Sequence, residues 1–211
     1  MALINAGNRS KTRKTDTTPS PQPTKTLETL LEELDSDDVG LRRRAARDLA
    51  DFPEAVPALC LRVATETALS VRTVLFTALI RMRSPSVVAG LVPYLRSEDA
   101  GLRNAVIEAL QDMPEEVAPV MDELLADPDN DARIFAVNIL SALPHANAPH
   151  WLVQVIDTDP HVNVCAAAVD CLAEVGDIAA VPHLENLSRR FADHPFMQFA
   201  VTTAIRRING E

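Results

Sequence analysis

Sixteen residues, DTDPHVNVCAAAVDCL from Asp157 to Leu172, place Asp157, Asp159, His161, Cys165 and Cys171 close together in the chain. Carboxylate, imidazole and thiol groups are the raw material of a metal or redox site, but the spacing argues against one. Cys165 and Cys171 lie six residues apart; on a helix their side chains point about 120° apart, so they cannot close on one ion. Nor do they form a Cys-x-x-Cys redox pair. His145, His150, His161, His183 and His194 fall in turns or at helix starts, without the His-Glu-x-x-His spacing of a zinc helix. Asp127, Asp129 and Asp131 alternate as in a calcium loop, but the glycine and closing glutamate of that loop are missing. No Gly-rich phosphate loop or nucleophile elbow occurs. The expectation is a chain with no catalytic residue, no cofactor and no metal, hence not an enzyme.

What must position these residues follows from composition and pattern. The chain has 211 residues, 47% hydrophobic but only 4% aromatic, with 6 glycines. Alanine and leucine dominate, which suits close-packed helices and disfavours a β-sandwich. Net charge is −10 and unevenly spread: residues 1–26 carry +4, from Arg9, Lys11, Arg13, Lys14 and Lys25 against Asp16, and the rest carries −14. An acidic body repels phosphate backbones, so no nucleic-acid partner is expected. Cys60, Cys165 and Cys171, an odd number at no framework spacing, suit a reducing compartment and a cytoplasmic location. No apolar run is long enough to span a membrane. Residues 1–25, ending in TPSPQPTK, read as a disordered basic, Pro-rich extension.

From residue 26 onward the chain repeats. Arg42, Arg72, Arg103 and Arg133 recur at intervals of 30, 31 and 30, and Cys165 and Gln198 continue the series at 32 and 33. Three residues after each of these anchors stand Ala45, Leu75, Val106, Ala136, Ala168 and Val201. Seven after stand Leu49, Leu79, Leu110, Leu140, Leu172 and Ile205; ten after stand Phe52, Met82, Met113, Leu143, Val175 and Ile208. Every one is apolar, and the 3, 7, 10 spacing is one face of an α-helix. Another apolar helix precedes each, an acidic turn joins the two and is expected to cap the second, and breakers such as DFPE and DMPEE follow. Pro93 lies deep in its first helix, which predicts a kink or a late start there. The expected fold is all-α: a right-handed α-solenoid of about six stacked antiparallel helix pairs. The repeats fall at about 26–53, 54–84, 85–114, 115–144, 147–176 and 178–209.

The phrases DPDNDARIFAVNILSAL, AVPHL and DPHVNVCAAAVDCLAEVGD resemble the short bacterial HEAT repeats of the phycobilisome-lyase type. The resemblance runs over about residues 27–208. It implies a helical scaffold that binds protein, with attachment of a bilin chromophore or action on nucleic acid in some members. It also implies that the anchor arginines Arg42, Arg72, Arg103 and Arg133 pair with turn carboxylates in a structural ladder. Asp38, Glu66, Glu98, Asp99, Asp127, Asp129 and Asp131 are the available partners. Cys165, in an arginine slot, is expected to be more exposed than Cys171, to interrupt the ladder, and to leave Asp159 weakly held.

The remaining functional candidate is a surface. Positions one, five and eight after each anchor face away from the apolar set and are expected to line a concave groove. They include Arg43, Arg47, Thr73, Thr77, Ile80, Asn104, Glu108, Gln111, Ile134, Asn138 and Asp170, with Phe199 near the end. Ile80, Ile134 and Phe199 stand where water is expected, a mixture that suits a protein partner. The reading is a monomeric, non-catalytic adapter, in a bacterial signalling system. The alternatives are an accessory subunit of a bilin lyase and, less favoured, a nucleic-acid-binding module.

Overall fold

The computed structural model describes residues 25–210, so the extension read at 1–25 lies outside the described residues apart from Lys25. Among the described residues there is no strand. The helices are α1 (Leu27–Leu34), α2 (Val39–Asp48), α3 (Val56–Thr65), α4 (Leu69–Met82), α5 (Pro85–Leu91), α6 (Ala100–Gln111) and α7 (Pro114–Val117). They continue as α8 (Met121–Leu125), α9 (Asn130–Leu140), α10 (Ala148–Thr158), α11 (Val162–Val175), α12 (Val181–Arg190) and α13 (Pro195–Asn209). The even pairs α1/α2, α3/α4 and α5/α6 are followed by α7–α8/α9, α10/α11 and α12/α13, giving an α-solenoid of six helix pairs.

Local chemistry sets the ends of these helices. Thr26 caps α1 by accepting from the Thr29 amide. Asp38, Asp99 and Asp129 cap α2, α6 and α9 from the acidic turns, each carboxylate accepting amide hydrogens of the first turn. The expected break at Pro93 is present: α5 stops at Leu91 and tightens into a 3-10 segment, Val92–Arg96. Pro119 does the same to the next first helix, splitting it into α7, a 3-10 turn at Ala118–Val120, and α8. Helix α13 closes on Gly210 in the left-handed conformation at φ 78°, which glycine adopts without strain.

The apolar face found in the sequence is the core. Ala45, Leu49, Leu75, Leu79, Val106, Leu110, Ala136, Leu140, Ala168 and Leu172 are all fully buried. Of the eighteen positions in the 3, 7, 10 series only Val175 is exposed. It is the last residue of α11. First helices pack on first helices (α3 on α5, α10 on α12) and second on second (α2 on α4, α9 on α11, α11 on α13). The second-helix layer is in register: Arg81 pairs with Asp51 and Arg207 with Glu174, and all four stand nine residues after their anchors. Packing along this layer is thinnest where α4 meets α6.

Candidate partner-binding surface

The anchor row comes first, because four arginines at one register are the largest concentration of a single chemistry in the chain. Each anchor lies one turn inside its second helix and reaches back to a carbonyl six residues earlier, at the end of the first helix. Arg42 donates to Ser36 O (2.8 Å), Arg72 to Glu66 O (2.6 Å), Arg103 to Ser97 O (2.6 Å) and Arg133 to Asp127 O (2.8 Å). These carbonyls are the orphan acceptors of a helix C-terminus, and a guanidinium answers both their hydrogen-bonding need and their negative dipole end.

The second function of the row, linking one repeat to the next, is met unevenly. Arg42 holds Glu66 of the second repeat through two hydrogen bonds of 2.8 and 2.9 Å. Arg133 holds Asp159 of the fifth through two of 2.6 and 3.1 Å. Both pairs are buried. Arg72 approaches Asp99 only to 3.6 Å, at the surface. Among the described residues Arg103 has no carboxylate partner; its guanidinium lies 4.7 Å over the Phe135 ring and its Nε is buried without an acceptor there. The uniform ladder expected from the resemblance is therefore two clamps flanking an open middle. The reason is local: the turn position six residues before the next anchor is Glu66 or Asp159 at the clamps, but Ser97 facing Arg72. Facing Arg103 it is Asp127, which Arg96 takes instead.

Electrostatics follow this geometry. The Arg42 guanidinium pulls the Glu66 carboxyl down to about 2 against its burial, helped by the Ala68 amide and Arg62. Its attachment to Glu66 in turn raises Arg42, as attachment to Asp159 raises Arg133. The backbone amides of Leu41 and Gly40 hold Asp38 below the ordinary carboxylate range.

Two expectations about Cys165 are overturned. It is fully buried, more so than Cys171. Asp159 is not weakly held, because its clamp comes from Arg133, one repeat earlier in the chain. In the Cys165 slot itself the thiol still donates to the carbonyl six residues back, Asp159 O, at 3.3 Å. The missing guanidinium is replaced from another element: Arg190, at the end of α12, donates to Asp157 O, Asp159 O and Cys165 Sγ. The signal that could have found it is the basic residue near the end of other first helices, where Arg62 reaches Asp35 and Arg96 reaches Asp127. Burial raises all three thiols, Cys60 and Cys171 to about 11. Trp151 is buried in the core. Its indole N–H reaches Asp122 at 3.0 Å, one first helix away, a link the repeat pattern did not reveal.

The outward strip has two classes of residue. Arg43, Arg47, Thr73, Thr77, Asn104, Glu108 and Asp170 are exposed. Gln111, Asn138, Ile80 and Ile134 are half-buried. The Gln111 amide donates to Asn138 O at 2.9 Å, tying α6 to α9. Ile80 and Ile134 do not stand free in water as expected; both are half-buried and pack against the core. Phe199 does stand free, 69% exposed. Among the described residues no three His, Cys, Asp or Glu side chains gather into a metal-binding group, and no helix is long and apolar enough to cross a membrane.

Comparison with known proteins gives one family. A family model described as HEAT repeats matches residues 27–111 and 117–206. None of the curated proteins matches the chain. Among solved structures, an archaeal HEAT-like repeats protein from Thermococcus onnurineus NA1 is similar at 15% identity and TM-score 0.38, over 86% of each chain. The complex of CpcE and CpcF of phycocyanin lyase from Nostoc is similar at 16% identity and TM-score 0.36, over 94% of this chain and 100% of that one. An engineered protein is similar at 21% identity and TM-score 0.40, over 89% of this chain and 100% of its own.

Proposed function

Since this chain belongs to the HEAT-repeat family, we propose that it is a non-catalytic adapter that holds a protein partner on the concave face lined by its second helices. The observation that carries this reading is the in-register layer from α2 to α13. Its outward positions are solvent-accessible, and most of its side chains do no work inside the fold. Arg42, Arg72, Arg103 and Arg133 are spent on helix ends and repeat joints. Arg43, Arg47, Thr73, Thr77, Asn104, Glu108 and Asp170 are not buried in the stack, and the threonines bond only to their own helix. A face that mixes both signs of charge with neutral polar and scattered apolar residues matches the composition of protein interfaces better than that of a nucleic-acid groove. A cytoplasmic location suits the three unpaired thiols.

The test is capture of native partners from the source cells by the full chain and by a Thr77→Arg, Asn104→Arg, Asn138→Arg variant. Thr77 and Asn104 are exposed and Asn138 is half-buried at the strip, so the helical circular dichroism spectrum is expected to survive. Loss of specific capture supports the reading; capture equal to that of the unaltered chain sinks it.

A further inference from the structure

The two carboxylates that clamp one repeat to the next share one pose. Glu66 and Asp159 each stand six residues before the anchor position of their own repeat. One oxygen of each accepts the amide two residues on: Glu66 Oε1 from Ala68 and Asp159 Oδ1 from His161, both at 2.8 Å. The other oxygen accepts the Nε–H of the anchor one repeat earlier: Glu66 Oε2 from Arg42 at 2.8 Å, Asp159 Oδ2 from Arg133 at 2.6 Å.

Asp127 is prepared in the same way. It stands six residues before Arg133 and 24 after Arg103, the separation of Glu66 from Arg42. Its Oδ1 accepts the Asp129 amide at 2.9 Å. Its Oδ2, the atom that meets Nε of the anchor in both clamps, is taken by Arg96. Arg103 Nε, the donor that such an oxygen would satisfy, is buried without an acceptor among the described residues. Arg96 and Arg103 line one cavity at this joint, together with Phe135, Glu98, Asp129 and Asp131, so both guanidiniums have room to move.

The two pairings are close in energy. The Arg96 side chain is 51% exposed, and an ion pair in contact with water contributes little. A buried Nε–H without an acceptor carries the cost of its lost hydration, which the Phe135 face offsets only in part. Moving Asp127 Oδ2 to Arg103 satisfies that donor, gives up the Phe135 contact and returns Arg96 to water.

We propose that Asp127 is exchanged between Arg96 and Arg103, so that the joint between the third and fourth repeats has two forms. In the open form Arg96 holds Asp127. In the clamped form Arg103 holds it, with the bonds already seen in Arg42–Glu66 and Arg133–Asp159. The Asp129 amide keeps the carboxylate in place throughout, and only Oδ2 changes partner. Arg96 is the exposed handle of the exchange: drawing it off Asp127 tightens the joint. The joint lies midway along the second-helix layer, so the exchange sets how firmly the two halves of that face are held together. It stands whether or not the face holds a partner.

The test uses the full chain carrying Arg96→Gln, a change at a half-exposed side chain that is expected to leave the helix content intact. The readouts are the Nε–H resonance of Arg103 by nuclear magnetic resonance and amide hydrogen exchange in α6. In the variant the Arg103 Nε proton is expected to shift downfield and to exchange with water roughly tenfold more slowly, and the α6 amides to slow with it. Simple loss of a surface ion pair would leave the resonance in place and α6 exchange equal or faster; that result overturns the proposal. Asp127→Asn keeps the Oδ1 cap and puts an amide NH2 where Oδ2 stood. Combined with Arg96→Gln, it is expected to abolish both the shift and the slowing. If both persist in the double variant, Asp129 or Asp131 is the acceptor of Arg103 and the exchange of Asp127 is refuted.

Discussion

Arg133 of α9 and Asp159 at the end of α10 are joined by two hydrogen bonds of 2.6 and 3.1 Å across the joint between the fourth and fifth repeats. Asp159 uses its other capacity to accept the His161 amide at the start of α11. One carboxylate thus fixes both the joint and the turn inside the next repeat. Removing either partner strands a charge that has left water, which costs more than the pair itself is worth. Arg133→Ala is expected to lower stability by about 3 kcal/mol, read from urea midpoints. Arg133→Met with Asp159→Leu should recover part of that loss. A double variant no more stable than Arg133→Ala would show that the turn bond to His161, not the stranded charge, carries the cost.

The other clamp makes a prediction in pH. Glu66 is depressed in the folded chain to about 2, below its value of about 4.3 in an unfolded chain. A depressed carboxyl stabilises the fold above the unfolded value, and that contribution is lost as pH falls from about 4.5 through about 2. Glu66→Gln is therefore expected to lower the thermal midpoint at pH 7, with the difference from the unaltered chain shrinking steadily below pH 4.5. A difference that stays constant down to pH 2 would mean that Glu66 is not held by charge.

Cys165 and Arg190 together fill one arginine slot. Cys165→Arg would put a second guanidinium at Asp159 O, in a space that is fully closed. Overpacking and like charge are expected to cost about 2–3 kcal/mol. Adding Arg190→Ala should restore most of the stability, because it recreates the arrangement of Arg42, Arg72, Arg103 and Arg133. Unchanged midpoints for Cys165→Arg alone would refute the shared slot. In the unaltered chain the buried thiols are expected to resist alkylation at pH 7.5 until the protein is denatured.

The middle of the stack is the place to look for motion. Two clamps flank repeats in which Arg103 lacks a carboxylate, α4 barely meets α6, and Pro93 and Pro119 interrupt the first helices. Amide hydrogen exchange is expected to be faster in α5 and α6 than in α9 and α11. Uniform exchange along the stack would show that the middle is held as firmly as the two clamps.

Arg83 ends α4 in the left-handed conformation at φ 39°, which costs a side-chain-bearing residue about 1 kcal/mol. Arg83→Gly is expected to raise the thermal midpoint by a few degrees or leave it level. A clear loss would show that the Arg83 side chain supports the turn into α5.

The repeat was legible in the sequence because its cause is periodic. Apolar side chains at 3, 7 and 10 after each anchor must leave water together, and only stacked helices allow that. The acid caps were legible for the same reason, since Asp38, Asp99 and Asp129 act on amides two or three residues away. So was the break at Pro93, which follows from a missing N–H. The use of the arginines and the carboxylates was decided by the tertiary structure. Whether Arg72 meets a carboxylate depends on what the next repeat places opposite it, about 27 residues away. That Asp159 belongs to Arg133, and that Arg190 supplies the guanidinium missing at Cys165, follow from side chains crossing between repeats at distances no local period encodes. Ile80 and Ile134 looked free in the sequence and are half-covered because neighbouring helices close over them. Local chemistry wrote each helix pair; the stacking of one pair on the next chose the partners.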